Sequence, residues 1–481
     1  MAPSFHERFV GEATPRSIAL IRILVCTVAL AQVVSADLAS LAALPAELRS
    51  RMGVLTAFEL LPIGFERLLQ SHAGLRALQA ATAVLLALGA AGLFTRVVLP
   101  LALLGTLVIG GILRMYAKYY HHGLVSLYLL AVLSCAPCAD ALSLDALRRR
   151  RAGRPAPEPN RAAAAYGWAR YACWITIALP YVLAGLTKLV RGGLGWWDPL
   201  NLKHHLLWAD TRTGFGLAIL LHETAPEWLF GVIGVATIVL ELGFVAVLFS
   251  RSARWALPPL MALLHVGIVL LQGIWFTENV FLLLAFYDLG ARGAAGPARS
   301  ARVGAAGRVP RVGPQRALAC LAALGLVAVW SLRRDYYPLT YWPMFSARDV
   351  SGLVRGVRVL AERASGEVFE PDIGRFVPWS AAVGHREWLR RAFRDDDWRV
   401  GRAFLGFLAD ALSRNEPPGR QVVRLFVEQR EWDFVAEPAG PESGAVVARY
   451  VYEARPGNRS EPARGRRDGN ASPANSEAAQ P

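Results

Sequence analysis

A run of about twenty apolar residues with almost no charge has one inexpensive home, a helix inside a bilayer. There each backbone N–H and C=O is satisfied within the segment itself. This chain carries such runs near residues 17–36, 74–94, 97–116, 122–141, 166–188, 227–250, 254–273, 274–290 and 316–332, nine in all. With 54% of its 481 residues hydrophobic, the chain reads as an all-α multi-pass membrane bundle. The seventh and eighth runs are separated by almost nothing, which leaves room for a bent or re-entrant pair. The ninth is short and flanked by arginine at both ends.

The formal net charge of +15 would suit a nucleic-acid binder, but the arginines sit in short loops between apolar runs. That placement serves membrane insertion, so nucleic acid is not an expected partner. Two dense clusters, Arg148 to Arg151 with Arg154, and Arg292 to Arg316, are separated by four runs and share one side. Arg8 and Arg16 then fall on that side too. The expected topology is an integral plasma (inner) membrane protein with its N-terminus cytoplasmic and its C-terminus outside; Arg333 and Arg334 count against it. The N-terminus is polar and its first apolar run continues as a spanning helix, so no cleavable signal peptide is expected. Cys26, Cys135, Cys138, Cys173 and Cys320 lie in or beside apolar segments, and no disulfide framework is visible. Cys135 and Cys138 have redox spacing, yet they sit at a helix end where plain membrane cysteines are equally at home.

Two segments look interfacial rather than spanning: residues 53–70, and residues 199–222, where Asp198 is placed to cap a helix opened by Pro199. The expected organisation is a transmembrane domain over 10–334, a small extracytoplasmic α+β domain over 335–455 and a disordered tail over 456–481. Within the second, residues 353–360, 421–427 and 445–452 alternate as strands do, and 385–413 reads as helical. Asn458 and Asn470 lie in glycosylation triplets. No internal repeat and no phosphate-binding glycine loop is present.

An ammonium at membrane depth is costly, so Lys188, closing the fifth run, asks for a reason. It snorkels to the interface, or it is desolvated and able to act as a base. His121 and His122 open the fourth run after three tyrosines; they are interfacial polar residues, or one of them orients an anionic ligand. His265 lies inside the seventh run and must find a partner in the bundle. Glu241, at mid-depth on the preceding helix, is the evident one. Glu278 and Asn279 add polar groups to the eighth run. Trp196 and Trp197, in the glycine-rich loop after Lys188, either close over a ligand or form part of an interfacial aromatic belt. No His-x₃-His or Cys/His spacing is present, and no metal is expected.

Four stretches carry a resemblance. Ser17-Ile-Ala-Leu-Ile-Arg22-Ile-Leu, His121-His122-Gly-Leu-Val-Ser-Leu-Tyr, Tyr181-Val-Leu-Ala-Gly-Leu-Thr-Lys188-Leu, and His265 with downstream Phe276 and Asn279 occur in order over residues 10–290. Together they resemble the horizontally transferred transmembrane (HTTM) domain family, whose best-known member is the vitamin-K-dependent gamma-glutamyl carboxylase. The resemblance implies that Lys188 deprotonates a reduced, vitamin K-like quinone. Oxygen then turns the quinone into a strong base, which takes a proton from a glutamate γ-carbon to which carbon dioxide adds. It implies that His122 and His265 position or stabilise charged intermediates. An outward cavity on Lys188, His122, His265 and Glu241 is the expectation, with Trp196, Trp197 and Asn279 beside the quinone. The partners implied are membrane lipid and an extracytoplasmic protein or peptide. The chain departs from the carboxylase in having Thr187 where that enzyme has a first lysine, and in lacking a lumenal domain of comparable size. The competing class is a non-catalytic membrane protein, such as a transporter, immunity factor or assembly factor, in which the same polar groups serve packing alone.

Overall fold

A computed structural model of the chain describes residues 5–50, 64–116, 121–155, 157–213, 216–287, 324–325, 327–333, 337–414, 421–437, 444–454 and 465–468. Helix α1 (Pro15–Ser35) starts where the sequence supplies a cap: Ser17 N donates to Thr14 Oγ1 at 3.2 Å, and Pro15 occupies the first turn. A short α2 (Gly64–Leu69) precedes α3 (His72–Ala91), which Ser71 caps; Gly92, at φ 71°, turns the chain into α4 (Thr95–Tyr116). Then come α5 (Leu124–Ser134), the arginine-rich α6 (Leu144–Arg151) and the long α7 (Ala164–Gly192). They are followed by α8 (Pro199–Thr213), α9 (Leu217–Thr224), α10 (Glu227–Gly243), α11 (Arg251–Gln272) and α12 (Thr277–Leu282).

Six helical segments among the described residues are long and apolar enough to cross a membrane: Pro15–Ala43, His72–Ala91, Thr95–Tyr116, Ala164–Gly195, Glu227–Leu248 and Arg251–Gln272. The expectation of nine is corrected at two places. The run over 122–141 yields only Leu124–Ser134, because Pro137 follows and the residue before a proline is pushed out of the α region. The run over 274–290 yields only Thr277–Tyr287, since Gly273, at φ 63°, ends α11 and a short non-helical stretch intervenes. At about 1.5 Å per residue each of these reaches roughly half-way across a hydrocarbon core. The ninth run lies mostly outside the described residues, as do the greater part of 53–70 and the sequons at Asn458 and Asn470. Asp198 does cap α8: its Oδ1 accepts from Leu200 N at 2.9 Å.

The two ends of the bundle differ. At one, the Asp145 carboxylate on α6 accepts from Phe94 N at 2.9 Å and Thr95 N at 3.0 Å, capping α4 beside the arginines. At the other end of α4, about 30 Å away, Arg114 lines a pocket with Glu387 and Trp388. Those two belong to α13 (Trp379–Asp395) of the C-terminal domain. The arginine-rich helix and this domain therefore occupy opposite ends.

The C-terminal domain is an antiparallel sheet ordered β2-β1-β3-β4-β5, with β1 (Leu353–Arg363), β2 (Val368–Phe369), β3 (Val422–Asp433), β4 (Ala445–Glu453) and β5 (Gly465–Asp468). Helix α14 (Arg399–Arg414) buries Phe404, Leu405, Leu408 and Leu412, one face at helical spacing. Leu425 and Val427 of β3 belong to the same core. The helical run expected over 385–413 is two helices, divided at Asp396, φ 50°. Strand β5 falls in the tail read as disordered; that expectation is corrected for Gly465–Asp468, which pairs with the edge of β4.

The link between bundle and sheet, residues 337–349, is fastened to α4, α5, the loop after α7 and α8. Tyr337 Oη donates to Leu107 O at 2.7 Å, Tyr128 Oη to Pro338 O at 2.5 Å, and Trp196 Nε1 to Phe345 O at 2.8 Å. His205 Nε2 bonds Ala347 O at 2.9 Å, and Asp349 N donates to Asn201 Oδ1 at 2.8 Å. Burial pushes the His205 imidazole down to about 4; Lys188 and His204 add to this, while the Ala347 carbonyl and Asp349 oppose it. The unfolded chain takes up that proton near pH 6.5, so below this pH the unfolded state binds more protons and stability falls. We expect this attachment to lose on the order of 3 kcal/mol between pH 6.5 and 4. Amide exchange of residues 345–349 across that range checks it. His205→Gln keeps a donor for Ala347 and is expected to flatten the profile; an unchanged profile would refute the assignment.

Candidate functional site

Lys188 sits in the last turn but one of α7, inward-facing and 4% exposed. Its ammonium donates to both Glu241 oxygens, at 2.8 and 2.9 Å, and lies 5.4 Å from the centre of the Trp196 ring. Glu241, on α10, is 8% exposed. Helices α7 and α10 approach closely at this level because of Gly185: a Cβ there would meet the Glu241 Cβ at 3.1 Å. The snorkelling alternative for Lys188 is thereby excluded, since its charge ends on a buried carboxylate and not in the headgroups.

His265 pairs with Tyr181 and not with Glu241: Tyr181 Oη and His265 Nε2 are 2.9 Å apart. The expected Glu241–His265 partnership is corrected on that geometry. Tyr181 and Lys188 lie seven residues apart, two turns of one face of α7, so α10 meets one level of that face and α11 the other. His265 is buried, its ring is 5.7 Å from that of Phe276, and its Nδ1 has no hydrogen-bond partner among the described residues. His122 Nδ1 is 3.0 Å from Glu278 Oε1, which also accepts from Gly123 N at 3.2 Å. His121 stacks on Trp342, with ring centres 4.8 Å apart.

These groups form three pairs: Lys188–Glu241, Tyr181–His265 and His122–Glu278. Tyr181 is within electrostatic reach of both carboxylates, and Glu278 within reach of His265. Lys188 is within reach of His121 and His205. Of the two adjacent histidines, His121 thus lies toward the lysine and His122 toward Glu278.

The residues read as a quinone seat are placed differently. Trp196 is 2% exposed, and its indole nitrogen is already bonded to Phe345 O. Trp197 packs against Gly234, where a Cβ would lie 2.9 Å from its own Cβ. Asn279 is half-buried beside Glu278 on α12. Sequence reasoning missed Tyr181 as a partner and missed the covering link. Trp342 and Phe345 in that link take positive φ, 55° and 47°, a strained conformation for bulky residues that persists only where surrounding contacts enforce it. The only prior sign was the aromatic sequence Tyr341-Trp-Pro-Met-Phe.

No protein-family description, no curated protein and no solved structure matches this chain.

Proposed function

We propose that this chain is an integral membrane enzyme in which the Lys188–Glu241 pair accepts a proton from a substrate bound within the bundle. The observation that carries the proposal is a full ion pair held at 4% and 8% exposure among apolar helices. Burying such a pair seldom adds stability over well-packed apolar residues, so its presence asks for a use. Its chemistry is well defined. Whether the substrate's proton goes to the carboxylate of the charged pair or to the amine of the neutral pair, the product state is the same. It holds an ammonium, a neutral carboxylic acid and a substrate anion beside them. The single positive charge left on the pair balances the new anion, in a site dry enough for that attraction to count.

The HTTM and vitamin-K-dependent carboxylase resemblance gives this centre a substrate class: a reduced, vitamin K-like quinone, with an extracytoplasmic protein or peptide as acceptor. His265 and Phe276 are the residues that fit such a group, one offering an unpartnered ring nitrogen and the other a flat apolar face. When bound, a reduced quinone would supply electrons to oxygen and so generate a strong base. Tyr181 holds the His265 ring in place, and the His122–Glu278 pair fixes the neighbouring helix ends. In the orientation set by the arginines, the C-terminal domain faces outside the plasma membrane, where it would meet the acceptor.

A transporter reading predicts helices broken near the midplane. Pro180 lies inside a continuous α7, and Pro258 and Pro259 inside a continuous α11, so the prolines supply no such break; the half-length Leu124–Ser134 and Thr277–Tyr287 are the helices that reading would use, and turnover decides between the two. Oxygen uptake by the reconstituted chain with a reduced naphthoquinone tests it. The double replacement Lys188→Met with Glu241→Leu removes both charges and is expected to lower turnover by about 10²–10⁴-fold while the protein stays folded. Undiminished turnover in that variant would end the proposal.

A further inference from the structure

A second pocket lies away from Lys188, between α1, α4, the start of α5 and Tyr337, with a volume of about 150 Å³. Its walls include Val33, Ile109, Leu113 and Leu127, which make one part of it apolar. Three polar residues on the same walls carry atoms that are buried and without a hydrogen-bond partner among the described residues: Gln32 Nε2, Thr106 Oγ1 and Arg114 Nε.

Thr106 differs from most buried or half-buried threonines of the spanning helices. Thr82, Thr176, Thr187 and Thr237 each donate to the carbonyl four residues back, at 2.8, 2.8, 2.6 and 2.8 Å. Thr106 makes no such bond, and its hydroxyl is left for something else.

Arg114 is 6% exposed and forms no ion pair among the described residues. It donates to Gly110 O and His122 O and lies over the Tyr337 ring. The carboxylate within its electrostatic reach, Glu278, is bonded to His122 and Gly123 instead. Arg22 is also answered only by carbonyls, but Arg114 borders an open pocket with its Nε unanswered, so it can take a further, anionic acceptor there. The rim residue Asp37 does not supply one, for it is exposed and accepts from Ser40 Oγ at 2.6 Å. Arg114 also lines the polar pocket of about 230 Å³ beneath α13, so the same side chain borders both spaces.

We propose that this pocket binds a single-chain amphiphile with a carboxylate head, of the fatty-acid class. The head accepts from Arg114 and Gln32, and the chain lies along the apolar wall toward Thr106, about 12 Å further along α4. The carboxylate provides the charge that Arg114 lacks and the acceptor that the Gln32 amide lacks. A neutral head satisfies only the latter.

The test is binding of radiolabelled oleate to the full-length chain in nanodiscs, with methyl oleate and a reduced naphthoquinone as competing probes. Oleate is expected to bind, and methyl oleate to compete at least about tenfold more weakly, as loss of a charge-assisted hydrogen bond implies. Gln32→Leu removes a donor that has no partner to lose, so the fold is expected to hold while oleate binding weakens about tenfold. Lys188→Met with Glu241→Leu is expected to leave oleate binding intact, which separates this site from the proposed proton-transfer centre. Equal competition by the ester, preference for the naphthoquinone, or binding indifferent to the Gln32 change would each overturn the proposal.

Discussion

Replacing Glu241 alone by leucine is expected to destabilise the protein by about 3–5 kcal/mol, and replacing Lys188 by methionine in the same chain to restore most of that loss. The asymmetry follows from where the charges sit. With Glu241 gone, an ammonium that made two bonds of 2.8 and 2.9 Å keeps only the Trp196 face, 5.4 Å away. It remains almost wholly removed from water, and neither a ring quadrupole nor the surrounding apolar side chains replace a carboxylate. With both charges gone, methionine and leucine fill about the same space and leave no polar atom to satisfy. Glu241→Gln should fall between the two, since the amide oxygen still accepts but carries no charge. Denaturant titration in detergent micelles on the four chains of this double-replacement cycle gives the answer. Equal losses for the single and double variants would mean that Lys188 finds water or another anion when Glu241 is absent. The cycle also separates stability from chemistry. A double variant as stable as the parent and inactive is what a proton-transferring pair predicts; one equally stable and fully active is what mere packing predicts.

How much of this was visible in the sequence differs from one residue to the next. That Lys188 asks for a reason was legible, because charge inside an apolar run is expensive wherever the run folds; whether it snorkels or is buried was left open. Its partner was not legible. Glu241 and His265 lie on different helices, and the choice between them depends on which level of α7 each helix meets, a matter of packing that no local pattern encodes. Gly185 was the available hint, a small residue three before the lysine, where another backbone comes close. The long spans read directly from hydropathy. The two short ones were over-read because hydropathy continues through Pro137 and past Gly273, whereas helical backbone does not. Strands β1, β3 and β4 announced themselves by alternation. Strand β5 lies in a stretch of glycine, arginine and proline, and its strand character comes from the free edge of β4 rather than from its own residues. Trp196 and Trp197 were legible as aromatic and interfacial, but whether such rings cover a ligand or the protein's own link is settled only when that link, residues 337–349, is in place.

The other end of the bundle offers a second large effect. Arg22 is completely buried on α1, and its guanidinium donates to Cys138 O at 2.7 Å, Leu142 O at 2.6 Å and Ala90 O at 3.2 Å. Ala90 lies in the last turn of α3, and Cys138 and Leu142 lie in the connection from α5 to α6, outside any helix. Gly92 is part of the same arrangement: it sits at φ 71°, and a Cβ there would come within 2.7 Å of the guanidinium. Leu142 itself takes φ 45°, a conformation that costs roughly 1 kcal/mol or more and needs a contact such as this to hold it. Arg22→Leu leaves one buried and two partly buried carbonyls unanswered and releases Leu142, so a loss of about 3 kcal/mol is expected, from charge-assisted bonds that are not fully additive. Arg22→Lys should recover only part, because a single ammonium on a shorter reach does not span three carbonyls arranged around a planar fork. The damage is expected to be local. Amide exchange should accelerate over residues 138–146 and around Gly92, while the Lys188 end, roughly 30 Å along the helices, keeps its protection. A variant that unfolds evenly along its length, or one as stable as the parent, would show that Arg22 is not what fastens α1 to the ends of its neighbours.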